Sequence, residues 1–531
     1  MKTKIFLAVS RFPGGTMNLN DVLKRQIEIQ PDKTFLFFKD DEISYSTFGK
    51  RVNSMASALK KEGVKKGDRV ALFLNNCPEF LYSWFGIAKL GAIMVPINVA
   101  FKEREASYIL DHSEANTLIT ETGLYEDIIQ KKRRHFPHLK AVFCVGNKEH
   151  PEVINFSLII NEESIRVPEE KLTGEDVFSI MYTSGTTGEP KGCVLSHFHY
   201  ISFSEVIKNN LLVTPEDRFI CVLPLFHIGA QVVITMTSLI SGASLVLIDR
   251  FHPRQFWEQA YQHKVTVFHC IGAILAFLDK LPVTEDEKNN TLRVALSAGH
   301  PELSERLGKR WGCKMLQDWG MSEGGITIEH INGPHKKGSC GKPRGPNEIK
   351  IFDKDDREVP TGTVGEIVMR GPMVLKGYYK DPETTSTSMR GGWFHTGDNA
   401  YRDKDNFFYF VDRKKDIIRR SGENISSLEV EEVIRSHPKV EEASVIAFPD
   451  ELRGEEVKAY IILKEGETHE TVPPMGLIQF CEERLAYFKV PRYIVYRTDF
   501  PRTLTHRVKK DELRNLREEP GEFYFDRRKT E

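Results

Sequence analysis

Short apolar runs alternate with helical patterns along the first part of the chain. Arg69 to Leu74 and Ala92 to Ile97 have the pattern of buried strands, and Pro78 to Leu90 between them has the pattern of a helix. A strand, a helix and a second strand at this spacing predict a parallel crossover unit. Further apolar runs continue the pattern at 118–119, 141–145, 177–182, 218–229, 243–248, 265–268 and 294–296. We therefore predict an α/β fold with a large, multi-sheet N-terminal body.

The pattern changes after a charged break at 412–416. Beyond the break, hydrophobic positions predict a helix at 428–436, strands at 442–447 and 457–463, and a helix at 477–485. This mixture predicts a separate, small α+β C-terminal domain of roughly a hundred residues. At the other end, Met17 begins an amphipathic helix, so residues 1–16 are read as an extension.

Length, composition and charge limit the classes of protein to which the chain can belong. The chain has 531 residues, 40% of them hydrophobic and 28% charged, with a net charge of −1 and a pI of about 7.0. This length predicts more than one domain, and the balanced charge excludes global electrostatic recruitment to nucleic acid or an acidic membrane. Eight scattered cysteines with no Cys-x-x-Cys pair fit a reducing cytosol. The apolar run 5–9 near the N-terminus is too short for a signal-peptide core, and no apolar stretch has the length of a membrane span, so we expect a cytoplasmic protein.

The densest candidate site is the loop 182–192. Four aliphatic hydroxyls, three glycines and Lys191 follow Tyr182 with almost no apolar residue. Glycines let backbone N–H groups converge on an anion, and hydroxyls and the lysine add donors and charge, so the loop predicts a polyphosphate site. Its Gly-x-x-Gly-x-x-Lys spacing differs from the Walker loop, and with the hydroxyls it is expected by chance in only about 4 of 100,000 such chains. The alternative is a flexible surface turn, but a buried strand before the loop and a helix capped at Ser196 after it favour a site.

A second constellation runs from Gln317 to Gly325. Trp319 is suited to stack on a purine, Ser322 to contact a phosphate, and Glu323 to hold Mg²⁺ on polyphosphate oxygens. A glycine-rich turn with a surface carboxylate is the alternative interpretation of the same residues.

Three other polar features leave two interpretations open. Asp398 is suited to accept hydrogen bonds from two ribose hydroxyls, or is a turn residue. His227 follows an apolar run. It is either a pocket-lining residue or a core histidine whose ring makes one hydrogen bond to the backbone. For the charged stretch 412–424, composition alone favours a solvated loop.

These motifs occur in a characteristic order: the loop 182–192, then 319–323, 393–398 and 412–424. With this order the chain resembles the adenylate-forming acyl-CoA synthetase superfamily, which includes firefly luciferase and peptide-synthetase adenylation domains. The resemblance extends from about Met17 to Leu516. Within the superfamily, three segments are most similar to the carnitine/crotonobetaine-CoA ligase branch, namely 76–80, 91–98 and 407–413.

The resemblance implies a role for each matching residue. The nucleotide-binding residues that it implies are Thr183, Ser184, Gly185, Thr186, Thr187, Gly188 and Lys191 on the β- and γ-phosphates, Gly299, Trp319 and Gly320 around the adenine, Ser322 on the α-phosphate, and Asp398 and Arg413 on the ribose. Glu323 would hold Mg²⁺, and His227 would lie near the acyl carboxylate. Lys415 would be the hinge about which the small domain rotates, and Gly422 would line the pantetheine tunnel.

The resemblance also implies domains and chemistry. An AMP-binding and acyl-binding domain at 17–412 would be followed by a hinge at 413–416 and a small, mobile C-terminal catalytic domain with a charged tail at 417–531. A carboxylic acid would attack ATP to give an acyl-adenylate and pyrophosphate, and coenzyme A would then displace AMP. ATP, Mg²⁺ and coenzyme A are thus implied, with carnitine-type or fatty acids as candidate substrates; a homodimer is left open.

One motif departs from the superfamily pattern. Its members usually end with Pro-x-Thr-x-x-Gly-Lys, whereas this chain has His506 and Arg507 at the last two positions. We expect Arg507 to take the lysine's catalytic role, since its planar guanidinium keeps the charge, with Lys509 or Lys510 as alternatives. Two rival functions stay open on the sequence: acyl transfer to a carrier protein, and a nucleotide- or acyl-binding regulator without catalysis.

Overall fold

The computed structural model describes residues 17–101, 103–146, 152–160, 167, 170–183, 190–298, 301–413, 416–420, 423–450, 453–485, 487–503, 507–516 and 523–527. Contacts divide the chain into two units. Unit 1 comprises Met1–Ile349 and Met369–Phe394, and unit 2 comprises Lys350–Val368 and His395–Glu531. No helix within these described ranges is both long and apolar enough to cross a membrane.

Both units contain β-strands. In chain order they are β1 Thr34–Phe38, β2 Asp41–Ser44, β3 Arg69–Phe73, β4 Ile93–Pro96, β5 Thr117–Glu121, β6 Ala141–Val145, β7 Ile154–Asn155, β8 Val177–Thr183, β9 Lys191–Ser196, β10 Arg218–Cys221, β11 Ser244–Leu247, β12 Val267–Ile271, β13 Val294–Ala298, β14 Lys314–Gly320, β15 Ile326–Ile328, β16 Lys342–Pro343, β17 Glu348–Phe352, β18 Gly365–Arg370, β19 Phe394–Arg402, β20 Phe408–Arg413, β21 Ile417–Arg420, β22 Glu423–Ser426, β23 Val440–Asp450, β24 Gly454–Leu463, β25 Tyr493–Tyr496 and β26 Phe523–Asp526.

Helices connect most of these strands. The α-helices are α1 Leu19–Ile29, α2 Tyr45–Lys61, α3 Pro78–Lys89, α4 Glu103–Ser113, α5 Thr122–Leu124, α6 Phe156–Ile160, α7 His197–Leu211, α8 Thr237–Ser241, α9 Phe256–Gln262, α10 Gly272–Asp279, α11 Glu285–Lys288, α12 Pro301–Trp311, α13 Pro382–Ser388, α14 Ser427–Arg435, α15 Pro474–Glu482 and α16 Lys510–Asn515. Two π-helical segments occur at Tyr125–Ile129 and Gly229–Met236, and 3₁₀ turns at Gln130–His135, Pro253–Gln255 and Arg390–Gly392.

Unit 1 is built on two large sheets. Among the described residues, nine strands pair in the order β16-β15-β14-β13-β12-β10-β11-β1-β2 and seven in the order β7-β6-β5-β3-β4-β8-β9. The strands β10 to β14 pair in parallel, so their carboxyl ends meet at one edge, where α/β proteins bind ligands. The predicted crossover unit is confirmed, because β3 and β4 pair in parallel with α3 between them.

Local signals explain where two helices of unit 1 begin. Asn18 caps α1 through its side chain, which accepts from the backbone N–H of Asn20 at 2.9 Å, and Asp21 accepts in return from the Asn18 N–H at 2.9 Å. Ser196 caps α7 by accepting from the His199 N–H at 3.2 Å. The predicted cap of α7 is therefore confirmed, and α1 begins at Leu19, two residues after the predicted start at Met17.

Unit 2 has a mixed architecture around its own core. Its described residues include the sheet β22-β21-β24-β25-β26, with β23 also on β24, and the sheet β17-β18-β19-β20, whose first three strands each extend across the unit boundary. Helices α14 and α15 share an apolar cluster with the larger sheet, with Val430, Val445, Ile461 and Leu477 each at most 1% exposed. The predicted α/β class with a smaller α+β part is thus confirmed.

Candidate active site

The strand pair β8 and β9 carries both ends of the phosphate-type loop. The two strands are antiparallel, with Thr183 opposite Lys191 and Tyr182 opposite Gly192. Thr183 and Lys191 are half-buried, so both side chains reach the surface where the loop leaves the sheet. The loop residues Ser184, Gly185, Thr186, Thr187 and Gly188 lie outside the described residues.

The segment 376–379 lies along β9 and brings a tyrosine to the loop. The Lys376 N–H donates to the Val194 carbonyl at 2.9 Å, and the Tyr379 N–H donates to the Gly192 carbonyl at 2.7 Å. Between these contacts, the ring of Tyr378 lies with its centroid 5.9 Å from Lys191 Nζ.

Tyr378 also contacts the second constellation. Its hydroxyl donates to Glu323 Oε1 at 3.2 Å, and burial, followed by the Glu323 charge, raises the pKa of the phenol. The phenol therefore stays protonated and acts as a donor to the carboxylate. Lys191 and Glu323, far apart in sequence, thus meet around a single tyrosine ring.

The backbone around Glu323 is fixed by a close approach of two chain segments. The Leu375 N–H donates to the Glu323 carbonyl at 2.7 Å. Gly324 has φ +125°, and a Cβ there would lie 2.3 Å from the Met373 carbonyl oxygen. A residue with a side chain does not fit this position, so the glycine is needed for the approach.

The residues before Glu323 come from β14 and the turn after it. Trp319 is only 8% exposed, and Ser322 is half-buried. A Cβ on Gly320 would lie 3.3 Å from the ring of Phe203 in α7, so the backbone passes close to that helix. Gly299, expected beside the adenine, lies outside the described residues.

His227 is half-buried and is held by hydrogen bonds of its own segment. Its Nδ1 accepts from the Gly229 N–H at 3.2 Å, which assigns the proton of the neutral ring to Nε2. Asn76 fixes the preceding residues by donating to the Leu223 carbonyl at 3.0 Å and accepting from the Leu225 N–H at 2.8 Å. The imidazole therefore has a defined orientation at the wall of unit 1, and a fully buried core position is excluded.

Two buried polar residues near this region were given no role on the sequence. His269 in β12 and Asp318 in β14 are 6% and 8% exposed. A Cβ on Gly229 would lie 3.3 Å from His269 Cε1 and 3.4 Å from His227 Nδ1, so the two imidazoles flank the same glycine. Asp318 belongs to the segment 317–325, which was predicted from the sequence as a candidate site. His269 directly follows the apolar run 265–268, and nothing in the local sequence pointed to a functional role.

In unit 2, the two residues expected on the ribose lie opposite each other. Asp398 in β19 pairs with Arg413 in β20, so the two positions are neighbours across this antiparallel strand pair. Asp398 is half-buried, and its N–H donates to Thr396 Oγ1 at 3.1 Å. Lys415 and Gly422 lie outside the described residues.

The charged stretch beginning at Asp412 starts with a buried carboxylate. Asp412 Oδ2 accepts from the Ser427 N–H at 2.8 Å and from the Ser427 hydroxyl at 2.6 Å, at the first residue of α14, whose N-cap is Ser426. Lys510 donates to the same hydroxyl at 2.5 Å and pairs with Glu431 at 2.8 Å. These contacts occupy Lys510 within unit 2.

Arg507 is more accessible than Lys510. It is exposed, and its N–H donates to Thr503 Oγ1 at 3.1 Å while the Thr503 N–H donates to the Arg507 carbonyl at 2.8 Å. Arg507 therefore lies at the surface of unit 2. Lys509 is also near the surface, where it pairs with Glu512 at 2.7 Å.

The donor set of unit 1 fits Mg²⁺ bound together with polyphosphate. Across the described parts of the chain, no three His, Cys, Asp or Glu residues are grouped as a metal site. Mg²⁺ is commonly held by one or two carboxylates plus substrate phosphates and water, rather than by a complete protein cage. The oriented carboxylate of Glu323 beside Lys191 matches that requirement.

Comparisons with known proteins agree with this geometry. The AMP-binding enzyme family model matches residues 23–379, and the AMP-binding enzyme C-terminal domain model matches residues 429–507. A crotonobetaine/carnitine–CoA ligase of Citrobacter koseri is 34% identical over 94% of this chain and 99% of its own length. One of Proteus mirabilis is 33% identical with the same coverage.

Solved structures give the same result. The anthranilate CoA ligase AuaEII in complex with anthranoyl-AMP has a TM-score of 0.88 and 28% identity, covering 96% of this chain and 98% of that one. ATP-bound MatB from Rhodopseudomonas palustris has a TM-score of 0.85 and 25% identity, covering 94% and 99%. The two-part match to the family models and the similarity over nearly the whole length establish that the chain belongs to the AMP-binding enzyme family and is an AMP-forming acyl-CoA synthetase that uses ATP, Mg²⁺ and coenzyme A.

Proposed function

We propose that this synthetase activates an acid of the carnitine or crotonobetaine type. The observation that carries the proposal is similarity over nearly the full length to ligases named for these acids. Fatty acids are the alternative, and they lack the positive charge of a betaine. A panel of betaine acids and fatty acids, assayed for AMP release, separates the two classes.

We propose that the first half-reaction occurs at unit 1. The acid's carboxylate attacks the α-phosphorus of ATP, the bond to the β-phosphate oxygen breaks, and pyrophosphate leaves with acyl-AMP as the other product. Lys191, Thr183 and the adjoining loop would bind the β- and γ-phosphates, and Ser322 the α-phosphate. Mg²⁺ neutralises phosphate charge when bound, and Glu323, oriented by Tyr378, would hold it.

His227 would position the acid for this attack. Its Nδ1 accepts from its own segment, so Nε2–H is the donor for the acid's carboxylate. A hydrogen bond from a neutral imidazole orients the carboxylate without neutralising it, and the oxygen keeps its nucleophilic character. Replacing His227 with Ala should raise the KM for the acid far more than the KM for ATP.

Unit 2 would contribute its own nucleotide-binding residues and serve the second half-reaction. Asp398 and Arg413 would bind the ribose, and Arg507 would bridge the acid's carboxylate and the phosphate. The CoA thiolate attacks the acyl carbonyl carbon, the bond to the AMP oxygen breaks, and AMP leaves. We place a hinge at 413–416 with Lys415 as its pivot, and Gly422 beside the pantetheine arm.

Arg507 is the most specific part of this proposal. Its exposed position supports it, as do the contacts that occupy Lys510. Arg507→Ala should slow acyl-AMP formation from ATP and acid, whereas thioester formation from preformed acyl-AMP and CoA should change little. If the variant and the native enzyme formed acyl-AMP at the same rate, Arg507 would have no role in the first half-reaction.

Two further proposals concern the whole protein. We propose a cytoplasmic enzyme, since all eight cysteines are free thiols and six of them are buried, as in proteins of a reducing compartment. Assembly as a homodimer stays a prediction, which sedimentation or light scattering measures directly.

A further inference from the structure

Two buried side chains of unit 1 carry polar atoms that have no partner within the described residues. Asp318 Oδ1 accepts no hydrogen bond there, and His269 Nδ1 takes part in none. Both residues are more than nine-tenths buried. Burying an unpaired polar atom costs free energy, and an unpaired carboxylate costs more than a neutral group, so such atoms in a native protein call for an explanation.

The two residues lie on one face of the nine-stranded sheet. His269 pairs with Leu296, and Leu296 pairs with Leu316, so these three side chains share a face. Side chains alternate along a strand, and Asp318 lies two residues beyond Leu316, which puts it on the same face. Asp318 lies toward the carboxyl end of β14, the end at which α/β folds bind ligands, and His269 lies at the middle of β12 on the same face.

Helix α12 covers the opposite face. Ser297 Oγ lies 2.9 Å from Ser304 Oγ in that helix, and Gln317 Nε2 donates to Ser297 Oγ at 2.9 Å. Gln317 directly precedes Asp318 and points to α12, so the alternation directs the carboxylate away from that helix. Asp318 thus belongs to the side that holds the candidate active site.

The residues around this face are those of the proposed acyl site. His269 lies beside His227 across Gly229, and Phe203 of α7 closes over Gly320, two residues after Asp318. The face thereby combines an aromatic ring, two imidazoles and a carboxylate. A fatty acyl chain would leave Asp318 Oδ1 unpaired, whereas a positively charged acyl group would offset the charge of the carboxylate.

Protonation states fit the same arrangement. Burial raises the pKa of Asp318 to about 7. Burial lowers the pKa of His269 to about 3, so this ring is neutral at physiological pH. A cation bound nearby favours the ionised form of Asp318, and Asp318 is then the negative charge of this face.

We propose that Asp318 is the specificity residue for the acid, acting as the counter-charge to a positively charged acyl group in a pocket whose wall includes His269 and Phe203. This inference rests on the proposed betaine-type substrate and adds the residue that selects it. The aromatic ring and the carboxylate together provide the two kinds of contact that bind quaternary ammonium groups.

The test compares two acids of the same shape. γ-Butyrobetaine carries a trimethylammonium group, and 5,5-dimethylhexanoate has a carbon atom in place of that nitrogen. The ratio of their kcat/KM values for pyrophosphate release is measured for the native enzyme, Asp318→Asn and Asp318→Leu. Because the ratio is taken within each variant, a general loss of activity cancels, and Leu avoids the cost of a buried polar group if the Asn variant fails to fold.

The native enzyme should prefer the betaine, and both variants should lower the ratio at least about tenfold, since a unit charge at short range is removed. The control Asp249→Asn, an exposed acid of unit 1, should keep the native ratio. A native preference for the betaine that survives in either Asp318 variant would overturn the specificity role and leave the proposed substrate standing. A native preference for the neutral acid would overturn both.

Discussion

Removing one hydroxyl should weaken the Mg²⁺ and ATP site of this enzyme. Tyr378→Phe deletes the donor that lies 3.2 Å from Glu323 Oε1 and leaves the aromatic ring beside Lys191 in place. A hydrogen bond to a charged group is worth about 1.5–3 kcal/mol, and we take the lower value because Glu323 is half-buried. About 1.5 kcal/mol corresponds to a roughly tenfold rise in the KM for Mg²⁺–ATP.

The neighbouring tyrosine provides a matched control. Tyr379 lies in the same segment, but its ring packs edge-on against His112 with the centroids 5.7 Å apart. Pyrophosphate release is measured as Mg²⁺ and ATP are varied at saturating acid, for Tyr378→Phe and Tyr379→Phe. Only the first variant should need more Mg²⁺–ATP. If both variants matched the native enzyme, the hydroxyl would have no part in orienting Glu323, and our account of the metal site would lose its geometric support.

Three predictions concern stability. Gly324→Ala should destabilise unit 1 by about 2 kcal/mol or more in thermal unfolding, because the new Cβ would collide with the backbone of 373–374. Gly338 also has a positive φ, but a Cβ there would meet no atom within 4 Å, so Gly338→Ala should lower the free energy of unfolding by less. Asp412→Ala should lower the free energy of unfolding of unit 2 in urea by about 1–3 kcal/mol, because the buried hydrogen bonds from the Ser427 N–H and hydroxyl at the start of α14 lose their acceptor. Burial lowers the pKa of His197 and His199 to about 4, whereas their pKa in the unfolded chain is about 6.5. The protein should therefore lose stability as the pH falls from about 6.5 toward 4, because the unfolded chain binds more protons in this range. A constant melting temperature across this window would contradict the buried, neutral state of the two rings.

The sequence predicted features that depend on neighbouring residues. The crossover unit β3-α3-β4 follows from hydrophobic periodicity, and the start of α7 follows from Ser196 as a cap. The turn at 353–357 between β17 and β18 is equally local, since the Asp353 N–H donates to the carbonyl of Arg357, four residues on, at 2.8 Å. Such signals are local, so a single chain displays them without any knowledge of its fold.

Tyr378 and His269 show why the rest could not be predicted. Tyr378 reaches Glu323 only because 376–379 packs along β9, a contact between segments nearly two hundred residues apart that leaves no local pattern. His269 directly follows an apolar run that predicts a buried strand. Only the parallel register of β12 with β13 and β14 shows that its side chain lies on the same face as Asp318. Asp318 could be singled out as polar, but the face to which it points depends on the same register.

The central claim is tested most directly by the products formed from ATP, coenzyme A and a panel of acids. Carnitine, crotonobetaine, γ-butyrobetaine, fatty acids of several lengths and benzoates are each supplied, AMP is quantified, and the thioester is identified by mass. We predict AMP and a CoA thioester in equal amounts, with the betaine acids giving the highest kcat/KM. Efficient thioester formation from a fatty or aryl acid, with none from the betaines, would contradict the proposed substrate.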